Sequence, residues 1–487
     1  MRSMAVQVWY ALAGIWAIRV FAMAAMPFVD TSEPRYAEIA RLMAVSGDWI
    51  TPWFAPDVPF WGKPPLAFWA QALCIRVFGL SELSIRMASL PPMAGMLWLG
   101  YVLARNMSSR EAAARWLAIF STMLLPAAAA GAVLTDTYLA FAVCLCMTAF
   151  HLAGQGAGWR WRYGFFVGLG IGLLAKGPLA VVLVAGAIIP WLAWRRWLAA
   201  GPAQALPRLP WLSGILVTAA LALPWYVAAE IKTPGFLRYF ILGEHFYRFV
   251  DPGWQGDRYG SAHDSPYGSI WLEWLVASLP WGAAGLAAAV WRCRDRGFRR
   301  ERLPAILRDA RWSYLLAWAL ATPLFFTFAG NIIWTYVLPA LPPVALLLAT
   351  AMPDAPRPAL RKAILACVLA VPLAFLVVGT AAIVAPGRFK TEKDLVNAAA
   401  AMQAPGETLY FVGRVPFSGR FYSRGTARAI DLDRVDEVIP PAGGRVFLAI
   451  PRDDEAEALA RLPVHARMIY ASKLRRLFVA QVPEAAH

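Results

Sequence analysis

The chain has 487 residues, of which 59% are hydrophobic and 16% are charged. A soluble chain carries about 25% charged residues, so this one lacks the charge to cover a soluble surface, and its 23 Trp and 26 Phe are too many for ordinary cores. Composition therefore excludes a soluble enzyme, a disordered chain and a collagen-like repeat, and the net charge of +16 speaks of membrane topology and not of nucleic acid, because the basic residues lie in short links between apolar runs.

Apolar segments fall near residues 5–27, 84–104, 112–130, 137–153, 163–176, 178–194, 211–229, 269–291, 312–329, 335–351 and 363–384, which makes eleven candidate spans. The 163–176 run is short for a hydrocarbon core that needs about 20 residues. No small-residue cleavage site follows the first run, which reads as a membrane helix and not as a removed signal peptide. With the N-terminus cytoplasmic, the even-numbered links and their flanks carry nineteen basic residues, eight of them from Arg292 to Arg311. The opposite links include two longer ones, mixed in sign, which carry Asp30, Glu33, Glu38, Asp48, Asp57 and Glu82, and later Asp251, Asp257 and Asp264. This positive-inside pattern places the C-terminus and both long loops, 28–83 and 230–268, outside. The expected location is a bacterial inner membrane, with the outside being the periplasm.

The first long loop predicts a helix over 31–45 and a second, apolar and aromatic, over 65–79. Both are too short or too polar to span, and they suit the interface. The other loop predicts an amphipathic segment over 236–249, followed by an irregular stretch to 268 that is mobile unless a ligand orders it. After residue 384 charge returns. Strands are expected at 409–413, 445–450 and 474–482, and a helix at 453–461, so residues 385–487 read as a small external α/β domain packed on the mouth of a membrane domain, 1–384. The five Cys have no metal or redox spacing.

Charges at the edge of a membrane core are expensive and usually functional, and the external side gathers them. Asp30 ends the first span. A helix start at Ser32–Pro34 explains one acid there, but not Asp30, Glu33 and Arg35 together. Lys63 precedes Pro64 and Pro65, which fix its backbone; it either snorkels or grips one phosphate. Asp136 lies between two apolar runs, as a cap or a functional acid. Lys176 is the sole charge between Tyr163 and Trp194, beside Gly177 and Pro178. The run GEHFYRF supplies Glu244, His245 and Arg248, the last two on one helix face. His245 and His263 are eighteen residues apart, a weak metal signal. Tyr336 follows Asn331 and Trp334 at an outer turn. A pocket with acids, several cations and apolar walls suits an amphiphile with a phosphate head and a lipid tail. Its acids suit general-base or electrostatic work on a sugar carbon. With no nucleotide motif, the activated group is expected to arrive already attached to a lipid.

The motifs DTSEPRY (30–36), KPPL (63–66), LTD ending at Asp136, Lys176-Gly177-Pro178, EHFYRF (244–249) and YVLP (336–339) resemble the GT-C class of membrane glycosyltransferases. Within that class they resemble the bacterial lipid A aminoarabinose transferases, distant kin of the protein O-mannosyltransferases. The resemblance covers roughly residues 1–350. It implies an all-α polytopic fold of GT-C type. It also implies inverting transfer of a sugar from an undecaprenyl-phosphate donor to a membrane-bound acceptor, with lipid A one candidate and protein or polysaccharide others. By motif position Asp30 is the acid at the reaction centre and Asp136 the second acid. Arg35 and Lys63 hold the donor phosphate, helped by Tyr336, with Glu33, Lys176, His245 and Arg248 as further binding residues. The aminoarabinose enzymes usually carry Glu before this lysine, where a metal has been placed with a histidine of the long loop. Here that position is Gly62, so no cofactor is expected beyond a weakly supported divalent metal near His245. The rival from another class, a lipid-linked glycan transporter, predicts internal repeats and mid-membrane polar residues, neither of which is visible.

Overall fold

The computed structural model describes residues 2–198, 207–251, 253–260, 263–439, 444–462 and 466–481. All eleven apolar segments are helical. Among the described residues, six helices qualify as membrane spans by length and composition: Glu82–Met107, Asp136–Gly154, Leu179–Trp197, Trp211–Lys232, Trp334–Ala351 and Pro358–Val384. The pair Ile270–Ala277 and Trp281–Arg292, bent by 106°, makes a seventh if counted as one. Three of the remaining expected segments are interrupted or charged for local reasons. Pro280, which lacks an N–H, breaks the bent pair. The segment expected at 112–130 divides at an extended Met123 into Arg110–Thr122 and Leu124–Ala129. The helix Trp159–Lys176 is charged at both ends by Arg160, Arg162 and Lys176.

Asp136–Gly154 is the central pillar, with 78% of its apolar window buried, against 22% for the lipid-facing Pro358–Val384. Small residues let its neighbours close on it. A Cβ on Gly168 of Trp159–Lys176 would stand 2.6 Å from the Cys146 sulfur, the close approach that packs helices in lipid.

Outside this bundle the predicted interfacial helices appear as Ser32–Ser46 and Leu66–Phe78, joined by a short hairpin of β1 (Trp53–Ala55) and β2 (Val58–Pro59). The second loop is helical over Phe236–Val250, with a π-helical middle, Tyr239–Tyr247. It then turns irregular, as expected. Tyr259 nevertheless fastens that stretch, donating to the Pro59 carbonyl (2.8 Å) and accepting from the Trp61 N–H (2.9 Å). Phe28, Tyr36, Phe60, Phe68, Tyr259 and Phe421 form one buried aromatic cluster drawn from both loops and the C-terminal region.

The C-terminal region is a five-stranded sheet of β3 (Leu409–Val412), β4 (Arg428–Ile430), β5 (Arg445–Pro451), β6 (Ala466–Ala471) and β7 (Arg475–Gln481), in the order β4-β3-β5-β7-β6. β3 runs parallel to both neighbours, while β7 is antiparallel to β5 and β6. Three strands and the helix Glu455–Ala460 fall where the sequence puts them; Val482, the expected end of the last strand, lies outside the described residues. β4, β6, Lys393–Ala400 and Phe417–Tyr422 lie outside the predicted elements, each being eight residues or fewer.

The helix Phe417–Tyr422 docks this domain. Asp30 accepts from the Ser418 N–H (2.9 Å) and hydroxyl (2.5 Å). Tyr422 accepts from the Phe28 N–H (2.8 Å) and donates to Glu82 (2.9 Å), which also pairs with Lys393 at 2.6 Å. We expect Asp30→Ala and Ser418→Ala each to speed protease cleavage between Val384 and Lys393 roughly tenfold, for the loss of a charge-assisted bond. The double variant should add nothing further; additive effects would show that the two residues do not act on each other.

Candidate active site

The two long loops and the helix ends beside them converge on two adjoining chambers that share part of their lining. The polar chamber, about 50 Å3, is lined among others by Arg35, Tyr36, Asp136, Asp257, Tyr259 and His263. The apolar chamber, about 160 Å3, is walled by Leu179, Val182, Phe249, Phe325 and Phe326. Lys63, Lys176, Glu244, Arg248 and Tyr336 line both.

Two of the shared residues, Lys63 and Lys176, are placed by local backbone constraints, and the others by the partners they meet. Lys63 sits where Pro64 and Pro65 start the helix Leu66–Phe78, so its side chain leaves a fixed point. It donates to the Gly62 carbonyl (2.6 Å) and to Glu244 (2.7 Å). Glu244, 2% exposed, also takes Arg248, one turn on, through both oxygens at 3.1 Å. Arg248 reaches Asp257 at 3.4 Å. Burial pushes the Glu244 carboxyl upward, but the charges of Lys63 and Arg248 outweigh it and leave it below the usual range. Asp136 begins its helix, where an anion faces the positive end of the dipole. Its Oδ1 pairs with Lys176, whose Nζ stands 4.1 Å from the centre of the Tyr336 ring. Lys176 ends its own helix because Gly177 takes φ +73°, and a Cβ there would lie 2.6 Å from the Phe240 ring.

Several donors in the lining lack partners. Arg35 gives one N–H to the Tyr259 carbonyl at 3.1 Å. Its Nε, the Nε of Arg248 and the Nδ2 of Asn331 are buried without an acceptor. Unsatisfied buried donors around a cavity ask for an anion. Among the acids, Glu244 and Asp257 have both oxygens engaged, whereas Asp136 Oδ2 has no hydrogen-bond partner among the described residues.

Seven of the nine expected site residues line the pocket: Arg35, Lys63, Asp136, Lys176, His245, Arg248 and Tyr336. Asp30 and Glu33 do not. Asp30 is committed to Ser418. Glu33 is clamped by Arg86 at 2.7 Å and accepts from the Val133 N–H at 3.0 Å, so it ties the first loop to the bundle. The sequence reading left out Ser32, Tyr36, Asp257 and Tyr259 as site residues. Only the folding of the irregular loop against the first loop brings the last two in, and no spacing announces that.

A divalent metal does not fit at His245. Its Nδ1 meets the Phe240 carbonyl at 2.8 Å and its Nε2 the Lys176 carbonyl at 3.0 Å, so neither ring nitrogen faces an ion. Gly62 offers no ligand, and no group of three His, Cys, Asp or Glu with metal-holding geometry occurs among the described residues.

Fold and pocket together define a multi-pass membrane protein of GT-C architecture with a small C-terminal α/β domain. The fold matches the crystal structure of ArnT from Cupriavidus metallidurans bound to undecaprenyl phosphate, with a TM-score of 0.76 at 18% identity, over 97% of this chain and 98% of that one. Residues 4–240 match the family described as dolichyl-phosphate-mannose-protein mannosyltransferase. The chain is 31% identical to the undecaprenyl phosphate-alpha-4-amino-4-deoxy-L-arabinose arabinosyl transferase of Erwinia tasmaniensis over 65% of its own length and 54% of the relative's. A similarly named enzyme, number 2 of Pseudomonas fluorescens strain Pf0-1, is also 31% identical, over 66% and 55%. The chain thus spans about half the length of the curated relatives it matches. The resemblance read from the motifs is borne out.

Two outcomes follow from the geometry. Lys176→Met strands Asp136 as an unpaired buried charge and is expected to cost about 3–5 kcal/mol in thermal or denaturant unfolding. Adding Asp136→Asn should recover most of it; a double variant as unstable as the single would show that the pair is not coupled. His245 is held below the ordinary imidazole value by burial, and His263 by burial and the charges of Arg248 and Arg35. Stability should therefore be flat from about pH 7 to 8. It should fall below about pH 6.5, where the unfolded chain takes protons that the folded imidazoles refuse. Glu244, with its depressed value, adds a loss only below the ordinary carboxylate range. Stability that rises on acidification through pH 6.5 would contradict this.

Proposed function

We propose that the chain is an inverting glycosyltransferase of the bacterial inner membrane. It moves a sugar from an undecaprenyl-phosphate-linked donor to a membrane-bound acceptor on the periplasmic side, with lipid A the acceptor expected from the resemblance. One observation carries this reading: a polar and an apolar chamber share a wall of three cations, Lys63, Lys176 and Arg248. A lipid phosphate has its charge next to its tail and needs such a junction. The apolar chamber takes the start of the isoprenoid chain, and the rest runs into the bilayer. The curated relatives are named for an undecaprenyl phosphate sugar, which fits this chemistry.

In this reading Lys63, Arg248 and Arg35 grip the donor phosphate, and they stabilise the negative charge that grows on it as the sugar–oxygen bond breaks. The acceptor oxygen attacks from the opposite face and forms the new bond. Asp136, with its open Oδ2, takes the acceptor proton or, if the acceptor is a phosphate, stabilises positive charge on the sugar carbon. Asp30 serves the reaction through the C-terminal domain that it holds beside the pocket. Phe417 of that domain lies under the Arg35 guanidinium, 5.6 Å from its ring centre. The periplasmic orientation rests on the positive-inside distribution.

Lys63→Ala and Arg248→Ala should each weaken undecaprenyl phosphate binding roughly 10- to 100-fold. Asp136→Asn should cut turnover roughly a hundredfold or more while binding survives. Donor affinity unchanged in both cation variants would end the proposal. Mass spectrometry of lipid A and other envelope glycans, with and without the gene, names the acceptor; no change in any of them would remove the transferase reading.

A further inference from the structure

The other end of the bundle holds a second cavity, of about 350 Å3. It lies at the far end of the central pillar: Asp136 faces the first pocket, and His151, fifteen residues on, faces this one, a rise of about 22 Å. The C-terminal ends of Glu82–Met107, Asp136–Gly154 and Leu179–Leu198 meet the N-terminus of Ala310–Phe326 around it. Its polar lining is Asn106, His151, Gln155, Arg195, Asp309 and Arg311, set against the rings of Phe150, Trp191 and Tyr314. At this volume it falls within the range of small-ligand sites, roughly 300–1,000 Å3.

The polar groups are arranged as donors with capacity to spare. The Arg195 guanidinium lies 5.2 Å from the centre of the Trp191 ring, and it has no acid partner and no hydrogen bond among the described residues. Arg311 spends one N–H on the Met107 carbonyl at 2.8 Å, and its approach to Asp309 is long, 3.9 Å. Asp309 caps its helix through Oδ1, accepting from the N–H groups of Arg311 and Trp312, while its Oδ2 has Arg311 alone beside it, at 3.9 Å. Nε2 of His151 meets Asn106 Oδ1 at 3.0 Å and Gln155 Nε2 at 2.9 Å. One ring nitrogen cannot both donate to the first and accept from the second, so one amide is free for a ligand. Topology by itself explains basic residues at this end. It asks for no cavity, no arginine held over a ring and no pair of amides meeting one imidazole nitrogen at its rim.

Two guanidinium groups with most of their donors unspent and a spare amide suit a phosphoryl group. The surroundings indicate its source. On the helix that carries Arg195, Ile189, Trp194 and Trp197 are 64%, 38% and 87% exposed, a belt that sets the cavity at headgroup depth beside the acyl chains. Basic pockets between membrane helices at the positive-inside end take anionic lipid heads. We propose that this cavity binds the phosphoryl headgroup of an anionic glycerophospholipid. The proposal is independent of the transferase reading.

The test measures thermal unfolding and lipid retention of the purified full-length protein with phosphatidylglycerol, phosphatidylcholine or inorganic phosphate. Phosphatidylglycerol should stabilise the wild type, and phosphatidylcholine should do so far less. Arg195→Gln should weaken phosphatidylglycerol retention roughly tenfold, for one charge-assisted contact, and Arg195→Lys should restore part of it. Lys63→Ala, which alters the other pocket alone, should leave it unchanged. Equal retention by wild type and Arg195→Gln, or loss in Lys63→Ala in place of Arg195→Gln, overturns the site. Inorganic phosphate matching phosphatidylglycerol overturns the lipid as its occupant.

Discussion

A charge taken out of water at the edge of a bilayer must find its opposite, because an uncompensated one costs several kcal/mol. That requirement organises the outer half of this protein. Glu244 stands almost fully buried only because Lys63 comes to it from the first loop and Arg248 from its own helix. Glu33 similarly draws in Arg86, which also donates to the carbonyls of Met23, Met26 and Pro27 and so closes the end of the first membrane helix. Asp136 and Lys176 join the outer ends of the two most closely packed helices. Apart from Arg248 with Glu244, each pair links segments far apart in sequence, and the pocket is the space these links enclose.

The same pairs set the chemistry of that space. Acids and cations that neutralise one another hold their geometry without a ligand, so the lining is built before one arrives. The unpaired Nε atoms of Arg35 and Arg248, and the free oxygen of Asp136, are the capacity left over. An anion and a developing positive centre can use both without breaking the pairs.

The C-terminal domain is joined to this region by polar contacts and shared aromatic packing. Phe421 enters the cluster built by Phe28, Tyr36 and Phe60, while Ser418, Tyr422 and Lys393 take Asp30 and Glu82. Its position next to Arg35 makes it part of the pocket's surroundings.

Composition and the spacing of apolar runs determined the membrane class, the helical segments, the interfacial helices and the late α/β domain. Those features depend on local hydrophobicity and period, which a single chain displays openly. Motif order also marked most of the pocket, since Lys63, Asp136, Lys176, Arg248 and Tyr336 are charged or aromatic residues stranded beside apolar runs. The tertiary structure decided what each charge is for. Asp30 and Glu33 sit in the same short run as Arg35. The helix turn sends Arg35 toward the pocket, while Asp30 meets Ser418, 388 residues away, and Glu33 meets Arg86, 53 residues away. Asp257 and Tyr259 become pocket residues because an irregular loop folds back on the first one. The role of a charge depends on which partner reaches it across space, and sequence distance carries no record of that.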